Sequence, residues 1–146
     1  MHVKLGLWED ASHCFEAFRC SLENHISVEE SIVFPSLEVA FKNINGPTSL
    51  LRVEHVHIQA IKQRLHDALT RKNAMAFFDH ADTFQLLLAQ HNEKEECILY
   101  PTIEHISNDK KEAIVHAITS CNPLCTTPED KDTTTKHVTS VQQSII

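Results

Sequence analysis

Apolar residues recur at steps of three and four from about Trp8 to Ala40, the period of a helix with one buried face. Ala11, Phe15, Phe18, Leu22, His25, Glu29 and Ile32 make up that stripe. Pro35 interrupts it. Its ring carries no N–H and collides with the carbonyl four residues back, so a kink or a break is expected there. Lys42 to Pro47, containing Asn45-Gly46-Pro47, is the clearest turn in the chain. A second helix is expected from Thr48 or Ser49, either able to act as N-cap, to about Arg71. Its stripe is Leu51, His55, Ile58, Leu65 and Leu69. Asn73 offers a cap for a third helix from Ala74 to about Ile103, whose stripe is Phe77, Ala81, Phe84, Leu88, His91, Glu95 and Ile98. A short helix should follow near Asp109 to Ser120, where Asp109 and Glu112 have capping-box spacing. With only two glycines and abundant helix formers, the pattern predicts an all-α fold.

Length and charge narrow the picture. A chain of 146 residues suits one domain with one core. That domain is expected over residues 1–122. Residues 123–146 read as a disordered or loosely packed tail, because Thr, Asp and Lys crowd the stretch after Cys125. A net charge of −7 argues against nucleic acid and against an anionic membrane surface. No apolar run is long enough to span a bilayer, and Met1 to Trp8 lacks the features of a signal peptide, so the expected location is cytoplasmic. Five cysteines are an odd number in a chain too long to need a disulfide framework, which favours reduced thiols. The pair Cys121 and Cys125 reads as two ordinary thiols at a helix end. Eleven histidines turn attention to metal.

The chemistry sits in an internal repeat. His25-Ile-Ser-Val-Glu29-Glu30-Ser-Ile-Val-Phe34-Pro35 matches His91-Asn-Glu-Lys-Glu95-Glu96-Cys-Ile-Leu-Tyr100-Pro101. A step of four stacks His25 over Glu29, and His91 over Glu95, on one helix face. Both pairs lie in otherwise apolar stripes. A carboxylate buried there without a partner is costly, and a shared cation explains two such pairs. Nitrogen and oxygen donors suit iron or manganese, and zinc less well. His55, between Leu51 and Ile58, is positioned to complete a site from the second helix. Glu30 and Glu96 point about a quarter-turn away, as solvated or supporting groups. His57, His66, His80, His105 and His116 read as surface residues.

These residues resemble the hemerythrin-like cation-binding domain. The likeness lies in the repeated motif and the intervening Glu54-His55, and it covers roughly Trp8 to Ile103. The segment from Gly46-Pro47 to Glu54-His55 is further similar to the repair of iron centres proteins. The resemblance implies an antiparallel up-and-down helical bundle holding two irons. His25 and His91 would be terminal ligands, Glu29 and Glu95 bridges, and His55 a ligand from the intervening helix. It also implies a Glu or His four residues after the middle histidine, where this chain has Gln59. A further histidine on a helix before the first motif is implied as well. Here only His2 and His13 precede it, and His13 lies about 18 Å along the axis from His25 at the standard helical rise. The usual first helix is therefore expected to be lacking. His137 is the tail's only candidate substitute.

The expected function is a non-haem iron or di-iron protein that handles iron, O2 or NO, in iron–sulfur cluster repair or stress protection. The alternative is an iron-responsive interaction module, a homodimer or a bundle completed by a partner helix. Without a recognisable nucleophile or glycine-rich loop, no enzymatic reaction is assigned.

Overall fold

The computed structural model describes residues 2–42, 46–106 and 108–120, the side chains of residues 110 and 117–120 excepted. The tail from residue 123, Cys121, Cys125 and His137 lie outside the described residues. A short 3-10 turn, Val3–Leu5, closes on Gly6 at φ 71° and leads into α1, Trp8–Val28. No strand occurs among the described residues.

The helical run does not end at Pro35. It widens into one π-helical turn, Glu29–Val33, and resumes as α2, Phe34–Phe41. The Phe34 N–H donates to the Glu29 carbonyl five residues back, which leaves room for a residue that has no N–H to give. The second repeat does the same. Helix α4, Ala74–Lys94, passes through a π turn, Glu95–Leu99, into α5, Tyr100–Glu104, and the Tyr100 N–H donates to the Glu95 carbonyl.

Between these two rods lies α3, Pro47–Thr70. It starts slightly earlier than Thr48 as N-cap would require. Gly46 is the cap and Pro47 takes the first turn, where its missing N–H costs nothing. Thr48 is buried instead, and its hydroxyl donates to Glu38 Oε1 at 2.8 Å. Asn73 caps α4 as expected, accepting from the Ala76 N–H at 3.1 Å. The short helix α6, Asn108–Ser120, lays Ile114 against the end of the bundle.

The core divides in two along the helices. One apolar cluster holds Phe15, Ile26, Ile58, Leu65, Leu69, Phe77, Phe84 and Leu88. The other holds Val28, Val33, Phe34, Leu37, Leu51, Leu99, Ile106 and Ile114. Glu29, His55, His91 and Glu95 are buried at the level between them. The result is the all-α fold expected from the periodicity, arranged as the antiparallel up-and-down bundle that the resemblance implies. No described helix is long and apolar enough to cross a membrane. Cys14 and Cys97 are free and exposed, in line with reduced thiols, whereas Cys20 is disulfide-bonded and departs from that reading.

Candidate metal centre

Each π turn begins at a motif glutamate and sets what faces inward after it. An unbroken α-helix would carry the stripe from His91 and Glu95 to Ile98. The π turn holds one residue more, so Leu99 is buried at 2% exposure while Ile98 is 43% exposed. In the first rod the inward position likewise falls on the buried Val33 rather than the partly buried Ile32.

Four of the five residues proposed from the sequence converge. One donor atom from each of Glu29, His55, His91 and Glu95 lies within 4.8 Å of all the others. The Nε2 atoms of His55 and His91 are 3.2 Å apart. His55 Nε2 is 3.2 Å from Glu29 Oε2, and His91 Nε2 is 2.8 Å from Glu95 Oε1. Close as these contacts are, Glu29 Oε2 and Glu95 Oε1 are buried without a properly directed hydrogen bond. Buried carboxylate oxygens rarely go without a partner.

His25 stands apart from the four. Its Nε2 is 3.5 Å from Glu29 Oε1 and 3.7 Å from Glu95 Oε1, and its side chain is 38% exposed. It marks the open rim of the cluster. Gln59 is partly buried, and His13 is exposed; neither joins the group. His57, His105 and His116 are exposed, and His66 and His80 half-buried, none of them in the cluster.

The outer nitrogens of the two buried imidazoles are held by carboxylates. His55 Nδ1 lies 2.8 Å from Glu30 Oε1, and His91 Nδ1 lies 3.2 Å from Glu54 Oε2. Lys94 Nζ holds the other oxygen of Glu54 at 2.8 Å. A neutral imidazole that donates Nδ1–H to a carboxylate presents the Nε2 lone pair on its other side. Two such lone pairs and two carboxylate oxygens then face one small volume. Only a cation or added protons can neutralise that arrangement, and the donor set of two nitrogens and two oxygens suits a first-row transition metal.

Electrostatics follow the same geometry. Burial pushes the Glu29 carboxyl above its ordinary range. Burial also works against the Glu95 carboxylate, but the imidazoles of His25 and His91 outweigh it and hold this group well below the usual carboxylate range. Burial disfavours the charged forms of His25 and His91, yet Glu95 raises both on balance. Burial and the charges of Glu95 and Glu29 push up the Tyr100 hydroxyl, which reaches toward Glu95 Oε2 at 3.5 Å.

Several contributors escape a one-face reading of the sequence. Glu54 is one residue from His55 and so about a quarter-turn off its face, but that turn aims it at α4, where it meets His91 and Lys94. Phe34, the aromatic of the first motif, stacks on His55 at 5.6 Å between ring centroids, with the Arg52 guanidinium 5.1 Å from its ring. Lys62, seven residues after His55 on the same face, is buried and pairs with Glu23 at 2.5 Å. No signal short of the three-dimensional neighbourhood identifies Lys62. The repeat itself marks Phe34 and Tyr100.

The family model for the hemerythrin HHE cation binding domain matches residues 1–116 of the chain. Comparison with curated proteins gave no match, and neither did comparison with solved structures.

Proposed function

Because the chain belongs to the hemerythrin HHE cation-binding domain family, we propose that it binds iron through Glu29, His55, His91 and Glu95, with His25 at the rim. The supporting observation is the convergence of four buried donor atoms, two of them carboxylate oxygens left without hydrogen bonds. Iron held there supplies a redox-active centre able to coordinate O2 or NO. The protein's own part is orientation and access. Glu30 and Glu54 fix the rings of His55 and His91, and the stacked Phe34 keeps water from the His55 side. The half-exposed His25 side is the route by which a small ligand reaches the cluster. Supply of iron for cluster repair, or protection under oxidative or nitrosative stress, is the role this reading favours, through the resemblance to the repair of iron centres proteins.

The same open side favours a second reading. A partner helix, or a second copy of the chain, would add donors beside His25 and make the domain an iron-responsive interaction module. Gel filtration with and without ferrous iron separates the two: the first reading expects one elution volume in both conditions, the second a shift on loading. Metal analysis of protein reconstituted with ferrous iron tests the binding itself. Retained iron that disappears in His91→Ala is the expected result, and iron content equal to that of a metal-free control protein would reject the proposal.

A further inference from the structure

Two arrangements could be built from five ligand residues around two carboxylates, and they place the histidines differently. In a two-ion centre the metals sit about 3.5–4 Å apart. Imidazoles capping opposite ends of such a pair would be separated by that distance plus two bonds of about 2.1 Å, roughly 8 Å in all. His55 Nε2 and His91 Nε2 are 3.2 Å apart. Two donors at about 2.1 Å from a single ion and 3.2 Å from each other subtend about 100° at it, an ordinary angle for adjacent ligands. Both histidines therefore address one ion. Each brings its own carboxylate oxygen, Glu29 Oε2 at 3.2 Å from His55 and Glu95 Oε1 at 2.8 Å from His91.

Little is left for a second ion. Among the described residues the one further donor at these carboxylates is His25, its Nε2 3.5 Å from Glu29 Oε1. The oxygen of Glu95 nearest to it is Oε1, already the partner of His91. The other oxygen, Oε2, turns toward the Tyr100 hydroxyl at 3.5 Å. Where the resemblance implies a Glu or His after the middle histidine, the chain carries Gln59, a neutral amide. Among the described residues no further His, Cys, Asp or Glu joins the group.

Resting on the iron-binding reading above, we propose that this chain holds one ion tightly, between Glu29, His55, His91 and Glu95, and that the described residues on the part-exposed His25 side lack the donors for a second tight ion. This departs from the two irons that the family resemblance implies. His25 then acts as a rim residue that governs access, not as a ligand on which retention depends.

The test is the metal-to-protein ratio of the full chain, reconstituted anaerobically with excess ferrous iron and passed through desalting, together with the electron paramagnetic resonance spectrum after oxidation. The expected result is one iron per chain with the signal of an isolated high-spin ferric ion. His25→Ala should retain that one iron, and His55→Gln, which keeps the side-chain volume and whose helix content is checked by circular dichroism, should lose it. Two irons retained per chain, a spin-coupled pair, or loss of the ion in His25→Ala would overturn the single-ion assignment while leaving iron binding intact. No retained iron in the unaltered chain would overturn both.

Discussion

Glu54 lies outside the four converging donors, yet it holds one of their imidazoles in place. Its carboxylate lies between His91 Nδ1 at 3.2 Å and Lys94 Nζ at 2.8 Å. Glu30 does the same for His55 at 2.8 Å. Carboxylates in this position fix the imidazole tautomer and raise its basicity, and their loss typically weakens metal affinity about 10–100-fold. Glu54→Gln and Glu30→Gln should each weaken iron binding in that range while leaving helix content unchanged, read by titration against a chelator of known affinity. Glu96, which is exposed, is the internal control, and Glu96→Gln should leave affinity unaltered. Equal losses in all three variants would mean that general negative charge, not orientation, sets the affinity.

At the scale of elements, the two π turns decide which residues after the motif glutamates face the core. The amino-acid pattern makes the rods, their order and the two His–Glu pairs legible, because a step of four within an apolar stripe admits few other readings. It misplaces the stripe after Glu95. A 3.6-residue period carries it to Ile98, and only the wider turn upstream of Pro101 moves it to Leu99. The groups beside the site are only half legible for a related reason. The pattern leaves Glu30 as a solvated or supporting group and marks Glu54 only through the resemblance, and each gains its partner from a neighbouring helix. The register makes a quantitative prediction. Leu99→Ala removes a fully buried side chain and should cost about 2–5 kcal/mol of unfolding free energy. Ile98→Ala, at a 43% exposed position, should cost less than about 1 kcal/mol. Urea denaturation of the two variants checks it, and a larger loss for Ile98→Ala would contradict the π-helical register.

At the scale of the whole molecule, two of the buried polar features among the described residues have different consequences. Lys62 sits within the apolar level of Ile58 and Leu65 and pairs with Glu23, which also meets Arg19 at 3.0 Å. The hydrogen bond from Lys62 is the largest influence on Glu23 and draws its carboxyl below the ordinary value. A carboxyl whose pKa is lowered by folding contributes stability above its unfolded pKa, and that contribution fades as pH falls toward the folded value. Lys62→Met keeps the volume and leaves Glu23 half-exposed beside Arg19. It should therefore be neutral or stabilising near neutral pH, and it should flatten the loss of stability between about pH 5 and pH 3. Thermal unfolding across that range measures both effects, and a marked destabilisation at neutral pH would contradict the account. The other feature is the Glu29, His55, His91 and Glu95 cluster, through which the proposed metal would be linked to stability. A ligand at 100 times its dissociation constant stabilises the folded state by about 2.7 kcal/mol, so iron should raise the melting temperature of the native chain but not that of His55→Gln. The measurement closest to the central claim is anomalous diffraction at the iron absorption edge from crystals of the iron-loaded chain. The account predicts one dominant peak roughly 2.0–2.3 Å from His55 Nε2, His91 Nε2 and an oxygen of each of Glu29 and Glu95, the usual range of metal–nitrogen and metal–oxygen bonds. A peak held by other residues, with none inside the four-residue cluster, would contradict it.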